Sequence, residues 1–446
     1  MRKNMIIKHI KDKHINNIKK ALLFLILALL IAPIFQAKFN IIELKPLKGD
    51  ITEPEINNFN FKDWFSGDYQ EQREKYLNEA FGFRSFMIRV NNQIAYSLFN
   101  RPMAGGVIIG KNNYMYEENY IKAYHGADYI GYDSIMNRMQ RLKYIQDTLS
   151  KLDKNIILVF AAGKGSFYPE YFPDEYITEK KTTNYETHLQ LAQQLGISHI
   201  DFNSYFIENK SKSPYPLYPQ YGIHWSYYGM CLAADSIIRY IENARNIDMP
   251  NLYWDKIDIS QPQKDDYDIA DGLNLMFKLR TFDMAYPDIK FQSDSAKTKP
   301  TVLVISDSFY WGLFNFGISN AFANSRFWFY NRQIYPDSYK SPIETSQVDL
   351  KDEINKHDVI IIMATEATLP ALGWGFIENV YNHFKGIKSK EKFDAEFQTK
   401  VTNLRNHIKT DKNWMEQIEK KAAIRKISVD SMLTIDAIWM IKQEEK

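Results

Sequence analysis

Residues 301–305 (TVLVI) form an unbroken apolar run that stops at Ser306, Asp307 and Ser308. A run of this kind, without polar alternation, is typical of a strand buried on both faces of a parallel sheet. Functional residues of such sheets lie at the carboxyl ends of the strands. If a helix follows from about Trp311, Ser308 lies at a strand-to-helix turn whose free backbone N–H groups stabilise an oxyanion. Ser308 is therefore a candidate nucleophile; the alternative is that Asp307 and Ser308 only cap the helix.

His224 is the candidate base for this serine, in the segment 221–229 (YGIHWSYYG). Apolar residues at helical spacing follow Ser226 and predict an amphipathic helix that begins there. Ser226 suits the N-cap position, which puts His224 just outside the positive end of the helix dipole. That position disfavours the imidazolium form and keeps the ring able to accept a proton. The alternative is a structural histidine packed beside Trp225.

Together the two segments resemble the SGNH (GDSL-like) hydrolase superfamily, in particular its alginate O-acetyltransferase-like branch and the related proteins named for a His-Trp motif. In that branch the His-Trp segment precedes the serine segment, the reverse of the ordinary SGNH order, as it does here. The resemblance covers about residues 60–385. Its further blocks are 66–69 (SGDY), 81–84 (FGFR), 109–116 (IGKNNYMY), 163–164 (GK) and 168–173 (YPEYFP).

The resemblance implies that Ser308 is the nucleophile and His224 its general base. It also implies an α/β protein with a flavodoxin-like three-layer α/β/α fold and a circularly permuted motif order. The family usually has an aspartate two positions before this histidine, and this chain has Gly222 there. The group that orients the imidazole is therefore left open, and a backbone carbonyl is one candidate for that role. The candidates for the orienting or oxyanion role are Glu366, Tyr221 and Asp307, and those for substrate contact are Lys164, Tyr330, Arg332 and Trp225.

The amino terminus predicts export. Seven basic residues against one acidic residue in the first twenty precede the apolar run Ala21–Phe35. Basic residues stay in the cytoplasm, so the rest of the chain is expected outside it. We predict a signal anchor over 21–37, with a cleaved signal peptide as the alternative. The expected location is the bacterial inner membrane, with a single membrane pass and the catalytic domain in the periplasm.

Charge and cysteine content exclude several other function classes. The first twenty residues carry +6, and since the whole chain carries +2, the remainder carries −4. This balance removes the electrostatic basis for nucleic-acid binding. The single cysteine, Cys231, rules out an intramolecular disulfide. The sequence has no Cys/His spacing for zinc, no Walker loop and no dinucleotide glycine fingerprint, so we predict no metal and no cofactor.

Alternating strand and helix patterns predict a mostly parallel sheet covered on both faces. The predicted strands are 155–160, 198–202, 301–305, 327–330 and 358–363, and the predicted helices include 134–152, 183–195 and one from about 344. Residues 246–298 are interpreted as an insertion before the nucleophile strand. The predicted parts are a basic cytoplasmic segment (1–20), the anchor (21–37), a stalk and N-terminal helical region (38–133), the SGNH-like catalytic domain (134–386) and a C-terminal helical tail (387–446).

Two function classes follow from these observations. The resemblance implies a cell-envelope O-acetyltransferase that acts on an exported polysaccharide through a serine acyl-enzyme, with a membrane-bound O-acyltransferase as acyl donor partner. A glycan acetyl-esterase that uses the same site is the alternative. The other class is a catalytically inactive glycan-binding or assembly scaffold, which the missing aspartate at position 222 favours. The distance between Ser308 Oγ and the His224 ring distinguishes the two classes.

Overall fold

The computed structural model describes residues 2–49, 58–292, 296–387, 401, 404–405, 407–425 and 429–444. The chain divides into two compact units, Met1–Trp374 and Gly375–Lys446. The strands are β1 (Val107–Ile109), β2 (Met115–Glu117), β3 (Asn155–Ala161), β4 (His199–Asp201), β5 (Leu252–Ser260), β6 (Met284–Phe291), β7 (Thr301–Ser306), β8 (Asn324–Phe329), β9 (Gln333–Tyr335) and β10 (Val359–Thr365).

The helices of the first unit begin with a long apolar helix and continue through the sheet region. They are α1 (Arg2–Phe39), α2 (Phe61–Ser66), α3 (Asp68–Glu79), α4 (Arg84–Phe99), α5 (Glu118–His125), α6 (Tyr132–Ser150), α7 (Lys164–Phe167), α8 (Asn184–Leu195), α9 (Phe202–Asn209), α10 (Tyr227–Arg245), α11 (Asp268–Gly272), α12 (Phe309–Phe316) and α13 (Leu350–Lys356). The second unit contains α14 (Phe376–Lys385), α15 (Lys412–Arg425) and α16 (Val429–Glu444).

The main sheet has six strands in the order β4-β3-β10-β7-β8-β9. The first five strands are parallel, and β9 pairs antiparallel with β8. The central strands β3, β10 and β7 are buried along almost their whole length, as the apolar runs predict. The predicted mostly parallel sheet is therefore confirmed. The short antiparallel edge strand β9 has no clear pattern in the sequence.

Helices cover both faces of the sheet. Val159, Val304 and Ile361 share one apolar core with Ile237 of α10. Because side chains alternate along a strand, the intervening residues point to the opposite face, where α6 packs against β3. The three-layer α/β/α fold is thus confirmed. The same core contains Met115 and Tyr120, which lie before the predicted domain start at residue 134.

The predicted helix after His224 is present as α10. The Ser226 side chain accepts a hydrogen bond from Gly229 N at 2.9 Å, which caps the helix as expected. Two other boundaries differ from the prediction. Helix α12 begins at Phe309 rather than near Trp311, and the helix expected from about residue 344 begins at Leu350.

The described residues of the predicted insertion 246–298 form a structured element. Strands β5 and β6 pair antiparallel as a separate two-stranded sheet, and α11 lies between them in the chain. Most side chains of β5 are only partly buried or exposed, which explains its polar appearance in the sequence. This element contributes to the functional site described below.

The two ends of the chain also form helices. In α1, residues Ile15–Phe39 contain an 18-residue window with a mean hydropathy of 2.4 and are long enough to cross a membrane, a property that signal sequences share. Helices α15 and α16 of the predicted tail pack on each other around a separate core that includes Ile418, Ala422 and Met432. Residues 50–57 of the predicted stalk and 388–400 of the predicted tail lie outside the described residues.

Candidate active site

Ser308 lies where the nucleophile strand β7 meets α12. It is the N-cap residue of α12, and its backbone is already helical at φ −65° and ψ −17°. The preceding Ser306 and Asp307 are buried, so packing in the core holds the strand-to-helix turn in place. The Ser308 Oγ atom lies 3.1 Å from Nε2 of His224, which is within hydrogen-bond distance. The structure therefore brings together the two residues that the sequence singled out.

Packing holds the His224 ring in place. The Phe309 ring lies 4.7 Å from the imidazole centroid and 5.5 Å from the Trp225 ring. Trp225 is only 2% exposed and stacks on Phe206, so most of its ring packs in the core, while part of it lines the cavity beside the imidazole. The His-Trp pair thus combines one ring at the site with one ring that fixes the loop.

Asp268 contacts the other ring nitrogen of His224. Its Oδ2 lies 2.6 Å from Nδ1, while its Oδ1 accepts hydrogen bonds from Ile223 N at 2.9 Å and Ile269 N at 2.6 Å. The carboxylate is therefore oriented by backbone donors before it reaches the imidazole. Ser308, His224 and Asp268 form a continuous hydrogen-bonded series with the geometry of a serine, histidine and acid triad.

The charge of Asp268 dominates the electrostatics of the histidine. Burial alone would lower the pKa of His224, but the carboxylate of Asp268, its hydrogen bond, and the more distant Asp265 and Asp307 together raise the pKa above 6.5. The imidazole side chain is 18% exposed and the Asp268 side chain 29%. The site thus stabilises an imidazolium that forms when Nε2 takes a proton.

The three sequence candidates for the orienting or oxyanion role make other contacts. Asp307 Oδ2 accepts hydrogen bonds from Thr365 N at 2.9 Å and from Thr368 Oγ1 at 2.6 Å, which ties the β7 turn to the end of β10. Glu366 Oε1 accepts hydrogen bonds from Ser166 Oγ at 2.6 Å and from Asn203 Nδ2 at 2.7 Å. The Tyr221 hydroxyl donates to Arg280 O at 3.3 Å. Asp268, and not one of these residues, occupies the orienting position.

Lys164 is also placed differently from the sequence hypothesis. Its side chain is fully buried, and Nζ donates hydrogen bonds to the carbonyl oxygens of Gln220 at 2.9 Å and Gly222 at 2.6 Å. Burial lowers the pKa of Lys164 to about 7, although the nearby Asp268 and Glu117 carboxylates act in the opposite direction. Lys164 therefore holds the backbone of the histidine loop and does not face a substrate.

The remaining two candidates differ in their placement. The Tyr330 phenol lies beside Ser308: burial raises the pKa of Tyr330, and hydrogen bonds with the Ser308 side chain and backbone lower it in part. Its ring packs edge-on against Trp374 at 5.2 Å. Arg332 is 78% exposed along its side chain and pairs with Glu344 at 3.6 Å. Of the proposed substrate contacts, the structure brings Tyr330 to the nucleophile.

A cavity of about 350 Å³ opens beside the imidazole. Its walls come from α12, the start of α10 and the insertion. The lining includes His224, Phe309, Gly312, Asn315, Gln263 and Asp265. Polar groups of the insertion therefore face the same space as the histidine.

Residues 107–252 match the family model of the SGNH hydrolase-like domain, acetyltransferase AlgX. The SGNH resemblance is thereby confirmed. The matched segment includes Lys164 and His224, while Asp268 and Ser308 lie beyond it. No curated protein sequence matches the chain.

Several solved structures are similar to this chain at low sequence identity. The O-acetyltransferase domain of Pseudomonas putida AlgJ has 14% identity and a TM-score of 0.43, with 62% of this chain and 99% of that chain covered. Pseudomonas aeruginosa AlgX has 12% identity and a TM-score of 0.39, with 61% and 67% covered. Bacillus cereus PatB1 has 11% identity and a TM-score of 0.36, with 55% and 93% covered.

The SGNH-like domain of this chain departs from the family pattern at Gly222 for a steric reason. A Cβ atom there would fall on the backbone oxygen of Asp265 and within 2.9 Å of the Asp266 carbonyl carbon. The insertion thus occupies the volume that an aspartate at 222 would need. The same insertion supplies Asp268, only two residues further on.

Sequence reasoning missed Asp268 because it lies 44 residues after His224, outside every motif of the SGNH resemblance. The available signal was the acidic run Asp265, Asp266 and Asp268 in a segment without basic neighbours after Lys264. No spacing rule connects such a run to a distant histidine. Only the fold of the insertion brings the carboxylate to the imidazole.

Proposed function

We propose that this protein is a cell-envelope O-acetyltransferase that works through a serine acyl-enzyme on an exported polysaccharide. The observation that carries the proposal is the series from Ser308 Oγ through His224 to Asp268, with distances of 3.1 and 2.6 Å. It lies at the carboxyl edge of a parallel sheet, where such folds carry their chemistry. A scaffold has no need of an aligned nucleophile, base and carboxylate.

In the proposed reaction, Ser308 Oγ attacks the acyl carbon of an ester donor while its proton moves to His224 Nε2. The donor alkoxide leaves and takes that proton, which leaves the acetyl group on Ser308. A sugar hydroxyl then gives its proton to Nε2 and attacks the acetyl carbon, and Ser308 Oγ departs and recovers the proton. Asp268 orients the ring and stabilises its charged form in both steps.

Tyr330 is the candidate for contact with the acyl group. Its backbone N–H donates to Ser306 O at 2.9 Å, and burial raises the pKa of its phenol while hydrogen bonds with Ser308 lower it in part, which supports a position beside the nucleophile. A phenol donor there would stabilise a developing oxyanion. We expect Tyr330→Phe to reduce kcat about 10²- to 10³-fold, the cost of one lost oxyanion donor.

Acetyl transfer is favoured over hydrolysis by the family model, whose description names an acetyltransferase. The resemblance implies the exported polysaccharide as acceptor and a membrane-bound O-acyltransferase as the partner that supplies the acetyl group. In the glycan acetyl-esterase alternative, water replaces the sugar hydroxyl in the second step. The two outcomes separate by product, since one yields an acetylated acceptor and the other free acetate.

Retention of α1 as a single-pass anchor of the inner membrane, with the catalytic unit in the periplasm, is supported by contacts at its end. Gln36 Oε1 accepts a hydrogen bond from Ile42 N at 3.0 Å, and Gln36 Nε2 donates to Ile42 O at 2.6 Å. Cleavage near Ala37 would remove this part of the fold. An amino-terminal tag that stays with the full-length membrane protein supports the anchor, and its loss contradicts it.

The test is mass spectrometry of the full chain after incubation with an activated acetyl ester. We expect one acetyl group on Ser308 in the wild type, none in Ser308→Ala, and strongly slowed labelling in His224→Gln and Asp268→Asn. Ser346→Ala and Asp271→Asn are the matched controls and should label normally. A folded wild type that neither labels nor turns over ester contradicts the proposal and favours the scaffold.

A further inference from the structure

Helix α4 buries two polar side chains, Arg89 and Asn92, on the face that packs against the rest of the unit. Arg89 and Asn92 are only 7% and 6% exposed. Arg89 donates hydrogen bonds to Pro46 O at 2.7 Å and Leu275 O at 3.2 Å, and Asn92 Nδ2 donates to Leu273 O at 2.8 Å. Backbone carbonyls of two other segments therefore dock on the polar side of this helix.

The opposite side of α4 is exposed and mostly apolar, with Asn91 as a polar residue among the apolar ones. Met87, Ile94 and Leu98 are 57%, 49% and 72% exposed. Their spacing of seven and four residues places them on one face of a helix, which we call the outer face of α4. A helix on a water-facing surface has the reverse arrangement. The outer face is thus built for an apolar environment.

The start of α4 is fixed against the end of the apolar helix α1. Gly82, two residues before α4, lies so close to α1 that a Cβ atom would fall on Pro33 O and Ala37 N. Phe83 lines a small hollow together with Ile31, Phe35 and other residues of that helix and of the following segment. The outer face therefore begins beside the membrane-exit end of α1.

A second exposed apolar group precedes α4 in the chain. In α2, Phe61, Trp64 and Phe65 are 72%, 45% and 84% exposed, and no residue of α2 or α3 is buried. Exposed aromatic side chains with a polar neighbourhood are characteristic of the membrane–water interface. Phe277, which is 70% exposed, extends the patch, because its N–H donates to Gln93 of α4 at 3.1 Å.

We propose that the outer face of α4, together with α2, lies on the outer surface of the lipid bilayer that α1 crosses. The patch continues from the apolar helix α1, is rich in aromatic and aliphatic groups, and carries Asp63 beside Lys62, with the acidic Glu71 and Glu74 on the neighbouring α3. Insertion of apolar side chains into the interface, rather than attraction to anionic headgroups, holds it there. This inference rests on the proposed retention of α1 as an anchor and is independent of the chemistry proposed for Ser308.

The test uses the full chain in phospholipid vesicles of phosphatidylethanolamine and phosphatidylglycerol. The native Cys231 is buried, so Ile94→Cys and Leu98→Cys each provide one reactive site for an environment-sensitive fluorophore. Leu152→Cys is the matched control. It is 52% exposed and follows α6 at the amino edge of the sheet, away from the edge that carries Ser308.

We expect nitroxide-labelled lipids to quench the fluorophore at 94 and 98 but not at 152, and iodide quenching to be about fivefold weaker at 94 and 98, given the 5–10 Å depth of an interfacial helix. Equal iodide quenching at all three positions overturns the proposal. So does protection that appears only in native membranes, because it indicates a protein partner.

A second variant separates lipid contact from folding. Ile94→Glu combined with Leu98→Glu places charges on two exposed positions, so we expect an unchanged circular dichroism spectrum and unchanged acetyl labelling of Ser308 by a soluble ester. In this variant, a fluorophore at Met87→Cys should lose its quenching by nitroxide lipids. If the quenching persists, the outer face does not set the contact. Failure of the wild type to label at Ser308 would instead count against the proposed chemistry alone.

Discussion

Two aspartates near His224 have different roles, because Asp268 contacts the imidazole ring and Asp307 does not. Asp268 reaches Nδ1 at 2.6 Å and is itself fixed by two backbone N–H groups. Asp307, next to the nucleophile in sequence, instead accepts hydrogen bonds from Thr365 and Thr368. Asp268 therefore gives the main electrostatic stabilisation of the charged base, and Asp307 fixes the position of the serine turn.

The proposed role of Asp268 predicts a change in pH dependence. Only the neutral imidazole accepts the Ser308 proton, so ester turnover should rise with pH through the raised pKa of His224, above 6.5. Asp268→Asn removes the stabilising charge, which lowers that pKa and moves the midpoint of the profile to lower pH. We also expect kcat to fall about 10²- to 10⁴-fold.

The measurement is the pH profile of kcat/KM for ester hydrolysis by the wild type, Asp268→Asn and Asp271→Asn. Asp271 lies on the same short helix and should leave the profile unchanged. An unshifted midpoint in Asp268→Asn would mean that the carboxylate acts only on the loop structure.

Glu366 predicts a pH effect on stability. It is 5% exposed, and burial raises its pKa from 4.5 to about 7 against the hydrogen bonds from Ser166 and Asn203. Its favourable contribution is complete below pH 4.5 and is lost as pH rises through 7, since the folded protein then carries a buried charge. Glu366→Gln stays neutral and should therefore gain stability relative to the wild type between pH 5 and pH 8, by on the order of 3 kcal/mol.

Urea unfolding of the wild type and Glu366→Gln at both pH values checks this prediction. Glu344→Gln, at an exposed position, is the control and should show no pH-dependent difference. A stability gap that is the same at pH 5 and pH 8 would contradict the raised pKa.

At the scale of elements, the insertion between α10 and β7 completes a site that the sheet alone leaves unfinished. Strand β7 and helix α12 place Ser308, and the loop before α10 places His224. Lys164, the first residue of α7, fixes that loop through the carbonyl oxygens of Gln220 and Gly222. Helix α11 then delivers Asp268. Each functional group therefore comes from a different element.

The crowding at Gly222 predicts that the family aspartate cannot be restored there. In Gly222→Asp the new side chain meets the Asp265–Asp266 backbone, so the histidine loop must move. We expect Gly222→Asp to lower ester turnover about tenfold or more, because a displacement of about 1 Å at a reacting group is costly. Combined with Asp268→Asn, it should give no recovery of activity.

Gly222→Ala is the companion variant, since it adds only the Cβ atom. Kinetics and thermal unfolding of the three variants separate crowding from charge. Recovery of turnover in the combined Gly222→Asp and Asp268→Asn variant would show that the loop adapts and that the insertion is dispensable.

The sequence allowed much of this element structure to be predicted. The β7 strand and α10 were accessible because unbroken apolar runs and 3.6-residue spacing report local burial. The Ser308 and His224 pair was accessible because both lie at recognisable strand or helix ends. Asp268 was not, since its role depends on a tertiary contact 44 residues away. The burial of Lys164 was hidden for the same reason, because a lysine is usually exposed.

At the scale of the whole molecule, two of the apolar cores formed by the described residues lie in different units. The first contains one face of the sheet and residues around the triad, and the second lies in the C-terminal unit between α15 and α16. No described residue of the second core belongs to the first. Stability of the tail and chemistry at Ser308 should therefore be separable.

Ile418→Ala tests this separation. Ile418 is fully buried in the C-terminal core, so its truncation should destabilise that unit by about 2–5 kcal/mol. We expect faster proteolysis within residues 412–444 and unchanged acetyl labelling of Ser308. Ile435→Ala, at a position 41% exposed, should behave like the wild type. Loss of labelling in Ile418→Ala would mean that the tail supports the site.

The volume beside position 222, which the Asp265 backbone fills, has a consequence for how such chains are classified as active or inactive. The backbone of Asp265 and a side chain at 222 cannot occupy the same volume, and in this chain the segment that fills it brings the Asp268 carboxylate to the imidazole. A chain without the motif aspartate would be classified as a pseudoenzyme by inspection of the motif alone. The deciding question is instead whether another segment of the chain places an acidic side chain next to the histidine.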